Sequence, residues 1–404
     1  MKGGSMMRLA WILTACLAFS ATAQGLTVEE ILSRHEAAKG GRAAWEAVTT
    51  LHLQGTYTAF SKTAPFTLDQ KRPNLYRFET SYEGGRWVSV YDGASAWSID
   101  PLAGHAWAVR SNLAEREVLQ READFDGPLL GQPAAEISLL GEENFDGEDC
   151  YKLKVLRGEA EETWYLSKST FLEFARIAPT EDFGRPVAVG RTYFLDFRPV
   201  PIPGGNPPQA LMLPHHVEKE YGIRHRVLEI QSVEVNPDLG ANSFRFERSP
   251  ALGQIGALAG SFDVQVETAS FPGAPWDTSQ TTADIVERFD GGLLETVFGV
   301  VVAGQPLEFQ ITFSHDRFRD LYLVTVFDTF TFRYDLLEGK FEEGQLIVSN
   351  QRTGTGQPQG NATPVNRMTF YQLGESGFKV RSESSGDGGE TWNEDQRMTF
   401  TRRP

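Results

Sequence analysis

The sequence predicts a mainly β, antiparallel protein in two parts: a sheet wrapped on a few helices, then a closed barrel or sandwich. Three observations predict it. Thirty-nine glycines and 21 prolines in 404 residues put turn formers above the globular average. Apolar and polar residues alternate through most of the chain, which is the period of a half-buried strand. Helical spacing is confined to short stretches in the first third.

Thr27 and Glu30 have capping-box spacing, and Val28, Ile31, Leu32 and His35 share one helical face. Gly40-Gly41 ends that helix, and a second turn over 42–48 carries Trp45 and Val48 toward a core. From Leu51 the period becomes two: Leu51, Leu53, Tyr57 and Ala59 alternate with His52, Gln54, Thr56 and Thr58. Further strands are expected over 74–82, 86–91, 94–99 and 105–110. A helix follows over 111–123, with Leu113, Val118, Leu119 and Ala123 as its apolar stripe. Strands resume over 137–140, 150–156, 162–166, 171–177, 191–197, 216–221 and 223–235. The stretch 199–208 holds too many prolines for a central strand and is expected to be an exposed loop that starts as polyproline. Residues 249–260, rich in small side chains, are the expected linker. Beyond it, strands are expected over 261–268, 282–289, 293–302, 307–313, 321–327, 329–336, 346–349, 367–372, 378–383 and 396–402. That number and spacing belong to a sandwich or closed barrel.

Lys and Arg total 38 against 54 Asp and Glu, a formal charge of −16. Such a surface repels phosphate backbones, so nucleic acid is not an expected partner. Lys2 and Arg8 precede an apolar run over 9–19, and Ala21-Thr22-Ala23 follows with small residues at cleavage spacing. Residues 1–23 therefore read as a secretory signal peptide, the run being shorter than the ~20 residues of a bilayer span. Leu13-Thr14-Ala15-Cys16 also has the form of a lipobox. Two outcomes stand: cleavage after Ala23, which the apolar residues following Cys16 favour, or lipidation at Cys16. Either implies export, to the periplasm or to the outer membrane as a lipoprotein, with no transmembrane segment in the mature chain. Cys150 is then without a disulfide partner and reads as a small buried thiol.

Two resemblances add to this reading. Lys71-Arg72-Pro73 with Arg77-Phe78, followed by Asp92-Gly93, Trp97 and Asp100-Pro101, resembles the bacterial outer-membrane lipoprotein-sorting family of the carrier LolA and its acceptor LolB. The opening helix pair, Phe145-Asp146-Gly147-Glu148-Asp149-Cys150-Tyr151-Lys152-Leu153, Trp164-Tyr165-Leu166 and Leu213-Pro214-His215-His216-Val217 agree with it. The likeness covers residues 26–248. It implies an antiparallel half-barrel wrapped on helices, holding acyl chains in an apolar cavity, with a lipid or lipidated protein as partner. Leu258-Ala259-Gly260-Ser261-Phe262-Asp263, Phe289-Asp290-Gly291-Gly292-Leu293 and the turn from Ser385 to Trp392 resemble a family of uncharacterised bacterial domains of lipocalin-like shape. That likeness implies a closed antiparallel β-barrel with a lumen. The expected organisation is a LolA-like domain over 24–248, a linker over 249–260 and a lipocalin-like barrel over 261–404.

Catalytic motifs are near misses. His35-Glu36-Ala37-Ala38-Lys39 lacks the second histidine of a metalloprotease helix, no Gly-x-Ser-x-Gly elbow occurs, and Gly354-Thr355-Gly356 has no strand–helix context. Neither catalysis nor a cofactor is expected. A two-residue turn at Tyr221-Gly222 would set Glu218 opposite His225, with His216 on the same face, a set able to bind zinc. Glu229 and Gln231 continue that face, so a solvated Glu–His pair is the expected reading and a metal-dependent hydrolase an alternative. The apolar cavity is expected at Leu53, Tyr57, Tyr76, Phe78, Trp87 and Trp97, on strands that a curled sheet turns inward. The lumen of the second barrel is expected at Phe309, Phe313, Phe330, Phe332 and Tyr334. The function expected is that of a carrier or sorting protein for a lipid, an acyl chain or another apolar molecule. The other reading is an envelope scaffold with side-chain-filled barrels that binds other proteins.

Overall fold

A computed structural model describes residues 25–404 apart from 131–135, 205–208, 241, 270, 272, 303 and 359–363. The expected signal peptide, with Cys16 and the cleavage site, lies outside the described residues. The chain opens with α1 (Val28–Ala38) and α2 (Arg42–Glu46). The Thr27 hydroxyl accepts from the Glu30 N–H at 3.2 Å, and Glu30 accepts from the Thr27 N–H at 2.8 Å. Both first-turn donors are thus satisfied, as the spacing predicts. Gly40 and Gly41 stop α1 with φ of 113° and 86°, a region that favours glycine.

Six strands follow: β1 (Thr50–Ala59), β2 (Lys62–Lys71), β3 (Leu75–Tyr82), β4 (Gly85–Asp92), β5 (Ala96–Asp100) and β6 (His105–Arg110). After α3 (Leu113–Glu122) come β7 (Glu136–Phe145), β8 (Glu148–Arg157), β9 (Ala160–Ser167), β10 (Glu173–Asp182), β11 (Arg185–Pro201), β12 (Ala210–Tyr221) and β13 (Arg224–Val235). A short α4 (Pro250–Gln254) and a 3-10 turn (Gly256–Leu258) lead into β14 (Gly260–Ala269), β15 (Trp276–Arg288), β16 (Leu293–Val302), β17 (Gln305–Asp316) and β18 (Leu321–Asp328). The last five are β19 (Tyr334–Glu342), β20 (Gln345–Ser349), β21 (Val365–Gly374), β22 (Gly377–Ser385) and β23 (Asn393–Arg402).

The chain divides into two compact units, and the division is not a single cut. Among the described residues, those of 25–82 with 112–240 form one unit; those of 83–111 with 242–404 form the other. In the first unit an antiparallel sheet runs β3-β2-β1-β13-β12-β11-β10-β9-β8-β7. Ile31 of α1 is fully buried against Leu153, Val155, Trp164 and Leu166 of β8 and β9. The strand β2 escaped the alternation reading because Pro65 and Asp69 interrupt it, yet it pairs with β1 along its whole length. Conversely, Pro199 to Pro201 are strand, not loop: they pair with Met212, Leu211 and Ala210 of β12. The neighbouring strand β10 pairs with β11 only over Arg185–Tyr193, so these prolines lie on an edge where a missing N–H costs no ladder bond.

In the second unit β14 to β23 form a closed barrel in sequence order, sealed by antiparallel pairing of β14 with β23. Up-and-down connectivity puts alternate turns at opposite ends. One end is plugged by residues 250–258, the segment expected to be a linker. Leu252, Ile255 and Leu258 are buried in the same cluster as Phe262, Phe298, Phe370 and Phe400. Arg402 holds the plug by donating to the carbonyls of Ala257 and Ala259 at 2.8 Å each, and Tyr322 donates to the Ala251 carbonyl at 2.8 Å. The hairpins β4-β5-β6 join this unit through its turns. Arg110 forms a bidentate pair with Asp290 at 2.8 and 2.6 Å, Trp107 meets Phe318 edge-on at 5.3 Å, and the Trp97 indole donates to Phe244 O at 3.3 Å.

Candidate functional site

The barrel end opposite the plug is open, and a cavity of about 220 Å³ lies there. Its floor is apolar: Phe309, Ile311, Val326, Leu337, Met368 and Met398. Its wall is polar, with Asp328, Arg333, Asp335, Asn366, Arg367, Ser382, Glu383, Asp395 and Gln396. Most of these charges are already engaged. Asp335 accepts from Asn350 (3.0 Å to each oxygen), Asn366 (3.1 Å) and Thr355 (2.6 Å). Glu383 is held by Arg367 at 2.8 Å and Arg381 at 3.4 Å, and Arg367 lies over the Trp392 ring at 4.1 Å. Burial, reinforced by neighbouring Glu383, raises the Asp395 carboxyl above its ordinary range, against hydrogen bonds from Ser384. Arg333 is different: among the described residues it makes no ion pair or hydrogen bond.

Alternation alone hides this wall. The pairing of β22 with β23 shifts between Ser382 and Glu383, so Ser382 faces Gln396 and Glu383 faces Glu394. The bulge turns two consecutive residues of β22, and Asp395 with Gln396 of β23, toward one cavity. A strict period of two would have sent every second one to solvent.

The expected lumen residues divide. Phe309 forms part of the cup floor, whereas Phe313 is packed in the barrel core and does not line the cup. Tyr334 stands largely exposed and borders the mouth. Phe330 and Phe332 are not in the lumen: they are 72% and 71% exposed. The expected strand over 329–336 begins only at Tyr334, because Asp328 accepts from the Phe330 N–H (2.9 Å), the Thr331 N–H (2.6 Å) and the Thr331 hydroxyl (2.8 Å). This side-chain turn, with Phe332 at φ 53°, makes 329–333 a connection at the cup's rim.

The five aromatics and one leucine expected to line one apolar cavity fall in two units. Trp87 and Trp97 belong to the second, where Trp97 is fully buried against Phe246. In the first, Tyr57 meets Phe78 edge-on at 5.2 Å, Phe78 stacks on Phe66 at 5.7 Å, and Leu53 faces Leu68 across β1 and β2. Tyr76 is buried near charge: its hydroxyl is pushed well above its ordinary range by burial and by Glu122. Glu122 of α3 bonds Arg176 at 2.5 Å and Lys219 at 2.9 Å, and these partners hold its carboxyl far below the usual range despite burial. Arg121 and Arg157 approach the fully buried Glu162 at 3.6 and 3.9 Å, and Arg157 also pairs with Asp124. The expected apolar stripe of α3 is therefore weak, with Leu113 exposed and only Ala123 fully buried. Cys150 is buried, its thiol pushed up to about 12 by desolvation.

The histidine–glutamate face lies on β12 and β13. The hairpin turns at Gly222-Ile223, one residue later than expected, so Glu220 rather than Glu218 faces His225, and His216 faces Glu229. Because the pairing moves by two positions, all of them stay on one face. His216 bonds Glu218 through Nε2 and Glu229 through Nδ1, both at 2.6 Å, and His225 Nε2 bonds Glu218 at 3.0 Å. Partial burial opposes protonation of His216, yet the two carboxylates raise its pKa above the ordinary value. Donor atoms of Glu218, Glu220 and His225 all lie within 4.8 Å of one another.

No family model and no curated protein matches the chain. Among solved structures, a DUF1329 family protein from Desulfovibrio piger is similar, with 14% identity over 54% of this chain and 97% of that one, at a TM-score of 0.38. A LolA superfamily protein from Nitrosomonas europaea is similar over 55% of this chain and 98% of that one, with 15% identity and a TM-score of 0.36. The Pseudomonas aeruginosa MucA/MucB complex matches over 92% of this chain and 93% of that one, with 10% identity and a TM-score of 0.20. At these identities the likeness is one of fold alone. No helix among the described residues is long and apolar enough to cross a membrane.

Proposed function

We propose that this is a non-catalytic binding protein of the cell envelope, and that its barrel takes one small amphiphile in the open cup. The apolar body lies on the floor of Phe309, Ile311, Leu337 and Met368, and a head group bearing hydrogen-bond acceptors meets Arg333 at the rim. The observation that carries this reading is the cup's balance of paired and unpaired charge, with Arg333 exposed to solvent at its rim. Asp328, Asp335, Glu383 and Asp395 each have donors from the protein, whereas the Arg333 guanidinium has no acceptor among the described residues. The leader-type residues 1–23 support an envelope location, and the lipoprotein-sorting resemblance supports a lipid-derived ligand.

Size limits the guest. A cavity of about 220 Å³ falls below the ~300–1,000 Å³ of sites for drug-sized ligands, which favours a short-chain acid over a whole lipid. Burying about six methylenes gains roughly 5 kcal/mol gross. Association costs about 4–15 kcal/mol, so the head group has to supply the rest and the complex is reversible. Thermal shift with octanoate, octanol and octane, beside native mass spectrometry of the protein purified from its own envelope, tests this. Octanoate should raise the melting temperature most, Arg333→Gln should reduce that advantage to the level of octanol, and Met368→Trp should abolish all shifts. Absence of any shift, together with an unliganded native mass, refutes the proposal.

A second reading, an interaction module, is favoured by Phe330 and Phe332, both exposed on the connection between β18 and β19. A protein partner lost on joint Phe330→Ser and Phe332→Ser substitution, with the cup empty, would select it.

A further inference from the structure

We propose that the outer face of the β12–β13 hairpin binds a divalent transition-metal ion of zinc type through Glu218, Glu220 and His225. This site is separate from the barrel cup and does not depend on the ligand proposed for it. The geometry points to it in three steps. First, the register sets Glu220 directly opposite His225, and directly opposed residues of an antiparallel pair have Cβ atoms ~4.5–5.5 Å apart. Glu218 is the next residue along the same face, and the three donor atoms already gather within 4.8 Å.

Second, the charges at this place do not balance internally. Glu220 makes no hydrogen bond or ion pair among the described residues, although His225 faces it on β13 and Arg191 faces it on β11. An unpaired carboxylate thus stands beside a second carboxylate and an imidazole. A divalent cation would neutralise the two carboxylates and take the lone pair of the neutral imidazole, with water completing four-coordination. Two oxygens and one nitrogen suit zinc better than magnesium, which prefers all-oxygen octahedral surroundings.

Third, Glu218 is oriented from outside the set. His216 Nε2 holds its Oε1 at 2.6 Å, and Glu229 holds His216 Nδ1 at 2.6 Å. The other oxygen, Oε2, faces His225 Nε2 at 3.0 Å. Metal binding replaces that one hydrogen bond: Oε2 and Nε2 turn onto the ion, and the His225 ring proton moves to Nδ1, which has no hydrogen-bond partner among the described residues. His216 is a positioning residue in this scheme, not a ligand.

The test is calorimetric titration of the full chain with zinc chloride near pH 7.5, with magnesium chloride as the hard-ion control. One zinc per chain is expected, with no measurable magnesium uptake. His225→Ala and Glu220→Gln should each weaken zinc binding by at least ~100-fold, and His216→Ala by about tenfold, the range for a group that orients a ligand. These side chains face outward on a hairpin, and circular dichroism with thermal melting verifies that each variant is folded. No zinc uptake by the wild type, or uptake that His225→Ala and Glu220→Gln both leave unchanged, overturns the proposal.

Discussion

Replacing Ile255 by alanine tests whether residues 250–258 are a structural plug rather than a tether. Ile255 has no solvent exposure and sits in the cluster that also buries Leu252, Leu258 and Phe262. Truncating a fully buried isoleucine costs about 2–5 kcal/mol, the upper end applying where the site cannot collapse. Collapse is restricted here, because the surrounding wall is a closed hydrogen-bonded ring of strands. We therefore expect a loss of about 3–5 kcal/mol. For a unit of this size each kcal/mol lowers the melting temperature by about 2–4 °C, so the fall should be roughly 6–20 °C. Urea unfolding followed by near-ultraviolet circular dichroism, with a parallel calorimetric scan, measures both. Gly253→Ala supplies the opposite sign two residues away. It lies in α4, its added Cβ would meet nothing within 4 Å, and a helical Gly→Ala change gains about 0.5–1 kcal/mol. If Ile255→Ala costs under about 0.5 kcal/mol, as at a surface position, the plug assignment is wrong.

Three other perturbations read the first unit. Glu122→Gln leaves Arg176 and Lys219 without their shared carboxylate and should cost about 3 kcal/mol in denaturant unfolding. Its folded-state pKa is lowered from 4.5, so the stability it contributes is present above about pH 4.5 and is lost as pH falls below it. The glutamine variant should accordingly show a shallower decline of stability on acidification, and an unchanged acid limb would contradict the pairing. Gly55→Ala would bring a Cβ to 1.9 Å from Glu229 O at the register shift between β1 and β13, with an expected cost of about 1–3 kcal/mol by chemical denaturation. Cys150 should resist a thiol reagent at pH 8 in the native protein and react promptly in urea, since burial both shields it and raises its thiol to about 12; fast native labelling would disprove that burial.

Much of the fold was legible because its signals are local. The capping box at Thr27 and Glu30, the double glycine after α1 and the alternation of the barrel strands each rest on residues within one turn or one strand. What escaped depends on partners far along the chain. Pro199 and Pro201 look like strand breakers until β10 is seen to pair with β11 only as far as Tyr193. Leu252, Ile255 and Leu258 sit among small residues whose composition reads as linker, and only a barrel end that needs filling gives their spacing meaning. At the cup, Phe330 and Phe332 continue an aromatic alternation, yet the Asp328 side chain closes a turn that ends it. Glu383 and Asp395 reach the cup through a bulge, which carries no mark in the residue pattern. The histidine–glutamate face was visible, because a slip of one in the turn shifts the pairing by two and preserves the face.

The two units differ in where their buried charges find partners, and each keeps a cavity: about 220 Å³ in the barrel, and about 730 Å³ with a polar lining beside Arg121, Asp124 and Arg157 in the first unit. The inward residues of α3 are Arg121 and Glu122, and each pairs with a charge carried by the sheet: Glu162 for the one, Arg176 and Lys219 for the other. Those pairs span the gap between helix and strands, so an acyl chain entering there would have to separate them and leave buried ions uncompensated, at a cost of several kcal/mol each. In the barrel the carboxylates are satisfied sideways, within the wall: Asp335 by Asn350 and Asn366, Glu383 by Arg367 and Arg381. No bond has to cross the lumen to hold them, and the centre above Ile311 and Met368 stays open. Partnering across the gap ties helix to sheet and lines the first unit's cavity with charge, whereas partnering along the wall leaves the barrel floor apolar. An apolar body is therefore better matched by the barrel cup, with its floor of Phe309, Ile311, Leu337 and Met368, than by the charged lining in the first unit.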